Sequence, residues 1–87
     1  MDIHNKQTVT VLNRQRVIID GVKNVIGFDE SYVTLETDLG KITIEGAEMR
    51  IESLTKDDGK IDIYGKIDGV YYYTDKERKG IFKRMLG

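Results

Sequence analysis

The chain has 87 residues, of which 39% are hydrophobic and 33% charged, and it contains neither cysteine nor proline. This length favours a single small domain, and the balance of apolar and charged residues is typical of a folded, soluble protein. Without cysteine, a disulfide framework and a thiolate metal site are excluded. No apolar run approaches the ~18 residues of a membrane-spanning helix, and the first residues show no signal-peptide pattern, so we expect a cytosolic protein.

The formal net charge of −1 conceals two regions of opposite sign. Residues 1–75 carry 9 basic and 14 acidic side chains, a net −5, whereas residues 76–87 carry 5 basic and 1 acidic, a net +4. Nucleic-acid phosphates are bound by basic surfaces, so the acidic body is not expected to bind nucleic acid. The basic end forms a region of its own.

Most of the chain alternates apolar and polar residues with the period of a β-strand. Residues 1–7 are predicted to be a flexible N-terminus, and residues 8–75 a single all-β domain. Turn-forming residues recur about every 8–10 positions, which is typical of a small antiparallel meander: a sandwich, a roll or a partly open barrel of about 7–8 strands. The predicted strands are TVTVL (8–12), RVIID (16–20), NVIGF (24–28), VTLET (33–37), KITIEG (41–46), MRIES (49–53), KIDIYGKI (60–67) and the segment after Asp68-Gly69.

Two hairpins are predicted from the registers that keep apolar residues opposite one another. A loop at Leu39-Gly40 sets Leu35 against Ile44. A three-residue loop, Asp57-Asp58-Gly59, joins the next pair, and its glycine suits the left-handed position of a type I turn plus bulge. The inward residues of the first pair are then Val33, Leu35, Thr37, Ile42 and Ile44.

The tyrosine-rich run after residue 60 carries the strongest hairpin signal, Asp68-Gly69, a pair suited to a type I′ turn. This hairpin would place Tyr72 in the core, its ring covering Gly65. It would also pair Tyr64 with Tyr73 and Lys66 with Tyr71 on the outer face. The predicted tyrosine cluster of that face comprises Tyr64, Lys66, Tyr71 and Tyr73.

Three interpretations of the predicted tyrosine cluster are open. Aromatic pairs on a solvated sheet stabilise the strands by about 0.2–1 kcal/mol each and need no partner. Grouped aromatics beside a cation are also typical of the centre of a protein interface. A carbohydrate or nucleotide platform is the third possibility.

Catalytic, cofactor-binding and metal-binding residues are not expected. His4 is the only histidine and lies in the polar terminus, so neither a zinc site nor a hydrolytic triad is supported. Asp57, Asp58 and Asp62 lack the alternating ligands and distal glutamate of a calcium loop, which favours a hairpin turn. The segment 29–31 is likewise predicted to be a turn.

The end of the chain, KERKGIFKRMLG (76–87), is predicted to be a short basic amphipathic helix. It would either pack on the open end of the sheet or anchor the protein to an anionic membrane or an acidic partner. Gly80 would weaken the helix by about 1 kcal/mol relative to alanine. The residues expected to act as the tether are Lys79, Ile81, Phe82, Lys83, Arg84, Met85 and Leu86.

Several short motifs between residues 18 and 73 occur together in a known family. They are Gly21-Val22-Lys23, Phe28-Asp29, Leu35-Glu36-Thr37 followed by Gly40, Ile44-x-Gly46, and Gly59 followed by Ile63-x-Gly65-Lys66-Ile67. With the terminal IFKRML they make the chain similar to the YabP/YqfC family of sporulation proteins from endospore-forming Firmicutes, and to its YabP members above all.

The resemblance implies a protein made in the mother cell during sporulation and associated with building the spore envelope, its cortex and coat. The family has no known enzymatic role or cofactor. Proteins of the YabP type are encoded beside a membrane protein, YabQ, which implies a membrane-proximal partner and a place in the mother-cell cytoplasm, peripheral at the outer forespore membrane. We therefore expect a non-enzymatic assembly module that self-associates as a homo-oligomer or docks a membrane partner. The alternative is a small-ligand or glycan-binding module that uses the tyrosine face.

Overall fold

The computed structural model describes residues 7–73, which form six β-strands and no helix. The strands lie in one antiparallel sheet in the order β1-β2-β6-β5-β4-β3, with β1 and β3 at its edges. The all-β antiparallel class is therefore confirmed. The predicted tail helix and most of the N-terminus lie outside the described residues. The strands are β1 Val9–Leu12, β2 Arg16–Ile19, β3 Val22–Asp29, β4 Tyr32–Thr37, β5 Gly40–Thr55 and β6 Lys60–Tyr73.

Residues 7–73 form six strands rather than the predicted 7–8 because two pairs of predicted strands are continuous. Segments 41–46 and 49–53 belong to the 16-residue β5, and the run on both sides of Asp68-Gly69 belongs to the 14-residue β6. Register shifts interrupt the ladder between β5 and β6 at three places. Such bulges bend and twist long strands without ending them.

The sheet curls back on itself, as the two-residue connection between β2 and β3 shows. Three strands separate β2 from β3 in the sheet order, which in a flat sheet would put the two about 19 Å apart. Yet β2 ends at Ile19 and β3 begins at Val22, and three Cα–Cα steps span no more than about 11 Å. The N–H of Val22 also donates to the carbonyl oxygen of Gly59, 2.8 Å away, across the concave side.

The core lies on the inner face of this curled sheet. Full burial of an aliphatic side chain contributes about 1.5–3 kcal/mol, and ten of the eleven buried apolar side chains come from β2, β4, β5 and β6. Val33, Leu35 and Thr37 of β4 are buried as predicted, as are Ile42 and Ile44 of β5. The buried apolar residues are Val17, Ile19, Val22, Val33, Leu35, Ile42, Ile44, Met49, Ile61, Ile63 and Ile67.

The two-residue loop of the β4–β5 hairpin lies one position earlier in the chain than predicted. Thr37 pairs with Gly40, so the loop is Asp38-Leu39 and Leu35 lies opposite Ile42 rather than Ile44. The Thr37 hydroxyl explains this choice, because it donates to the carbonyl oxygen of Gly40 (2.7 Å) and accepts from the N–H of Leu39 (3.2 Å). The slip is an even number of residues, so every side chain keeps its predicted face.

The β5–β6 loop is one residue longer than predicted. Thr55 pairs with Lys60, which leaves four residues in the loop, 56–59, rather than three. Gly59 has the predicted left-handed conformation, with φ of 62°. A Cβ atom at Gly59 would approach the carbonyl oxygen of Val22 to 2.5 Å, so the same glycine permits the close contact between this loop and β3.

The predicted hairpin at Asp68-Gly69 is wrong, because β6 runs straight through this pair. Glu45 pairs with Gly69 and Gly46 pairs with Ile67, which leaves Asp68 as the extra residue of a β-bulge. The local preference for a turn is outweighed by the continuous ladder that the long β5 offers on one side. Neither Asp68 nor Gly69 has the positive φ that a type I′ turn requires.

Candidate interaction surfaces

The predicted tyrosine cluster is divided between the two ends of β6. Tyr64 pairs with Arg50, Lys66 with Ala47, Tyr71 with Thr43 and Tyr73 with Lys41, so the predicted pairs Tyr64–Tyr73 and Lys66–Tyr71 are wrong. Without a turn at Asp68-Gly69, nothing brings the two ends together. Tyr71 lies seven positions after Tyr64, a distance along β6 of roughly 23 Å.

Tyr72 is not the core residue that the hairpin implied. It lies at the end of β6 opposite Ile42, on the core side of the sheet, and remains 62% exposed. Met49 occupies the space over Gly65 instead, since a Cβ atom at Gly65 would lie 2.8 Å from the Met49 Cγ atom. Met49 itself is 2% exposed, so the gap left by the glycine is filled by β5.

Tyr64 forms the middle of an arginine row, which we define as Arg16, Tyr64 and Arg50. Both arginines pair with Tyr64 across adjacent strands, Arg16 from β2 and Arg50 from β5. Their guanidinium carbons lie 5.1 Å and 5.8 Å from the centre of the tyrosine ring, within the range of cation–π attraction. Sequence reasoning missed both arginines, because the pairing of β2 with β6 leaves no local signal.

Each arginine of the row is also paired with a carboxylate. Arg16 donates two hydrogen bonds to Asp62, at 3.0 Å from Nε and 2.7 Å from Nη2. Those hydrogen bonds, aided by the charges of Arg16 and Lys60 and opposed by partial burial, hold the pKa of Asp62 below its usual value. Arg50 donates to Glu52 at 3.2 Å. The row is therefore charge-balanced and serves mainly to join three strands.

The other end of the outer face carries a tyrosine face, defined here as Tyr32, Tyr71 and Tyr73. The three residues are 38%, 44% and 38% exposed. Two of the rings lie over glycines: a Cβ atom at Gly69 would meet the Tyr71 hydroxyl at 2.7 Å, and one at Gly27 would meet Tyr32 at 3.2 Å. Glycine therefore lets both rings lie against the sheet while one side stays open to solvent. Tyr32 was missed, although it follows a predicted turn.

Polar groups lie between the tyrosine side chains. The hydroxyls of Thr34 and Thr43 are hydrogen-bonded at 3.1 Å on neighbouring strands. A shallow groove of about 520 Å³ lies beside them. Hydroxyl, carboxylate and aromatic groups thus line one open surface. The groove residues are Ser31, Tyr32, Thr43, Glu45, Gly46 and Asp68.

The C-terminal half of β6 has hydrogen-bonded strand neighbours on one side only, within residues 7–73. β2 pairs with β6 through residues 61–64. The N–H groups of Gly65 and Ile67 then donate to the carbonyl oxygens of Gln15 and Arg14, in the β1–β2 turn, at 3.1 Å and 2.8 Å. Beyond Ile67 only β5 pairs with β6. We call the other side of residues 68–73 the free edge.

A second groove lies along the free edge. Its volume is about 340 Å³, and it separates the β1–β2 hairpin from β6 where the two diverge. Arg14 and Asp68 supply charges of opposite sign to its lining. The remaining lining residues are Val11, Ile67, Gly69 and Val70.

Two of the aspartates that were weighed as metal ligands lie in a turn, as the sequence predicted. Asp57 and Asp58 lie in the β5–β6 loop, and Asp29 accepts hydrogen bonds from the N–H and hydroxyl of Ser31 in the β3–β4 turn. Within the described strands and loops, no group of three or more histidine, aspartate or glutamate side chains is placed to hold a metal ion. His4 and the tether residues 79–86 lie outside the described range. No helix among residues 7–73 is long and apolar enough to cross a membrane.

Comparison with known proteins agrees with the resemblance inferred from the motifs. The YabP family model matches residues 3–79, which include every strand of the sheet. One similar protein is "Spore protein YabP" of Bacillus subtilis (strain 168), which is 27% identical over 87 residues, covering 97% of this chain and 87% of that protein. The similarity is therefore not confined to one hairpin.

Proposed function

This chain belongs to the YabP family, and we propose that it is a non-enzymatic assembly module in formation of the spore envelope. In this role it brings proteins together by self-association or by docking to a membrane partner of the YabQ type. Its similarity to a spore protein of Bacillus subtilis supports this setting. The proposal places the protein in the mother-cell cytoplasm, peripheral at the outer forespore membrane.

The observation that carries the proposal is the tyrosine face. Two of its three rings, Tyr32 and Tyr71, lie against the sheet over glycines, and all three remain more than a third exposed. Tyrosine presents a large, stiff contact area with few rotatable bonds, which is why it is enriched in protein interfaces. The grooves beside it are shallow surfaces rather than enclosed clefts, which suits contact with a macromolecule better than catalysis.

The test of the face is the double substitution Tyr71→Ala and Tyr73→Ala. We expect the variant to stay folded, because both side chains are exposed, and to lose self-association in sedimentation and capture of a co-expressed YabQ-type protein. Phe28→Ala is the matched control, since it removes another exposed aromatic residue from an edge strand. Unchanged association and capture by the double variant would contradict a contact role for the face.

The basic tail supplies a second element of the proposal, a tether to an anionic membrane. Residues 76–87 carry a net +4 and an apolar group, whereas the rest of the chain carries −5. Liposomes with anionic lipid should therefore pellet the full chain more than a chain ending at Asp75, and high salt should abolish the difference. Equal pelleting of the two chains would count against the tether.

A glycan-binding function is the second candidate, favoured by the groove of about 520 Å³ beside Tyr32. Hydroxyls from Ser31 and Thr43, the Glu45 carboxylate and a stacking ring are suitable partners for a sugar. Titration with muropeptides should then change the fluorescence of the tyrosines. No change at millimolar ligand would argue against this function and leave the assembly proposal in place.

A further inference from the structure

The free edge of β6 differs from the two outer edges of the sheet. At the β3 edge, register shifts leave Lys23 and Ile26 as extra residues of two bulges. Bulges and lysines are devices that protect an edge from pairing with another chain. The β1 edge has only four residues. On the free edge, residues 69–73 (GVYYY) carry no charge and contain no bulge.

The backbone of the free edge presents hydrogen-bonding groups away from β5. Inward-facing residues Gly65 and Ile67 donate their N–H groups towards the β1–β2 hairpin. Side chains and amides alternate together along a strand, and the bulge at Asp68 shifts both by one residue. Val70 and Tyr72, which pair with inward-facing Ile44 and Ile42, therefore direct their N–H and C=O groups outward along the free edge.

We propose that a second copy of this chain adds its own β6 to the free edge, antiparallel, with the two-fold axis at Tyr72. This inference rests on the proposed assembly function and names the surface through which the chain self-associates. An added strand gains main-chain hydrogen bonds from an open edge. The groove of about 340 Å³ beside residues 67–70 keeps the β1–β2 hairpin away from this edge.

The sequence of β6 is self-complementary in this register. Tyr72 exchanges hydrogen bonds with Tyr72 of the copy, and Tyr71 lies opposite Tyr73, which is a favourable aromatic cross-strand pair. Residues 69–73 carry no charge, so no like charges meet across these positions when two copies pair in this register.

The test replaces Tyr72 with a positively or a negatively charged residue. Because Tyr72 faces itself across the axis, Tyr72→Lys and Tyr72→Glu each place like charges opposite one another. We expect each variant alone to dimerise at least tenfold more weakly than the wild type in sedimentation velocity. An equimolar mixture of the two should recover a dimer, because lysine then faces glutamate.

The matched control is Ile26→Lys, which puts the same charge on an exposed residue of the β3 edge. It should dimerise as the wild type does. Circular dichroism of every variant checks that the fold is retained, which we expect because Tyr72 is mostly exposed. If Tyr72→Lys unfolds, Tyr72→Pro is compared with Tyr72→Ala. An edge strand tolerates proline where its amide faces solvent, so a weaker dimer of the proline variant alone isolates the role of the outward N–H.

The outcomes separate this inference from the proposed function. A wild-type chain that remains monomeric at high concentration overturns the inference. A dimer that survives Tyr72→Lys but is broken by the double substitution Tyr71→Ala and Tyr73→Ala overturns the free edge and supports the tyrosine face. Failure of the mixed variants to pair places the symmetry axis away from Tyr72 and overturns the register.

Discussion

The two halves of β6 both carry tyrosine and aliphatic residues, but their surroundings differ. The first half, residues 60–67, lies between β2 and β5, buries Ile61 and Ile63 completely, and carries Tyr64 between two arginines. The second half, residues 68–73, pairs only with β5 among the described strands and exposes its three tyrosines. One strand thus supplies both a stabilising centre and an open surface.

The difference shows that a tyrosine's role depends on the neighbouring strands. Arg16 and Arg50 flank Tyr64 because β2 and β5 both extend alongside it. β2 does not extend alongside Tyr71 and Tyr73, so these two residues pair only with β5 among the described strands. Substitutions in the first half should therefore lower the free energy of unfolding, whereas substitutions in the second half should weaken association.

The largest expected effect is that of Ile63→Ala. Ile63 is fully buried, and removing such a side chain from a packed core costs about 2–5 kcal/mol. Ile26→Ala is the matched control, because Ile26 is 51% exposed on a bulge, and should change stability by less than about 0.5 kcal/mol. Urea unfolding followed by circular dichroism measures both. Equal effects would show that the halves of the sheet are not packed as described.

A smaller loss of stability is expected from Gly46→Ala, compared with Gly69→Ala. A Cβ atom at Gly46 would overlap the backbone carbonyl oxygen of Lys66, which cannot move without disturbing the ladder. Overpacking of this kind costs about 1–3 kcal/mol. At Gly69 the nearest atoms belong to the Tyr71 ring, a side chain that can swing into solvent. Thermal unfolding should therefore rank Gly46→Ala clearly below Gly69→Ala, and the reverse order would contradict the close approach at Gly46.

Tyr64→Leu should cost less again, yet more than Tyr71→Leu. Leucine preserves an apolar side chain but removes the ring that attracts Arg16 and Arg50. Tyr71 has no such pair of arginines at its position in the ladder. Denaturant midpoints of the two variants give the comparison. A Tyr71→Leu variant that is the less stable of the two would show that the tyrosine face, not the arginine row, stabilises the sheet.

The smallest expected effect is the pH dependence that Asp62 contributes. Its pKa is lowered in the folded protein, chiefly by hydrogen bonds from Arg16, so its contribution to stability is full above the unfolded pKa of about 4 and is lost as the pH falls through the folded value. Asp62→Asn should therefore be less stable than the wild type at neutral pH, with the gap narrowing in acid. A gap that stays constant from pH 7 to pH 3 would contradict the role of the ion pair.

Several features of the fold could be predicted because they are local. Period-two alternation correctly identified the inward residues of β4 and the start of β5, since a strand sends successive side chains to opposite faces whatever its partner. Gly59 was recognised as left-handed from its place in a loop. The family was recognised from short motifs spread over most of the chain, and the comparison confirmed it.

Other features depend on residues that are distant in sequence, and only the tertiary structure decided them. Asp68-Gly69 becomes a bulge because the long β5 continues beside it, and a ladder of hydrogen bonds outweighs a local turn preference. Arg16 meets Asp62 across 46 residues only because β2 pairs with β6. Alternation determines which face a side chain takes, whereas the pairing of distant strands decides which neighbours it meets and which edge stays open.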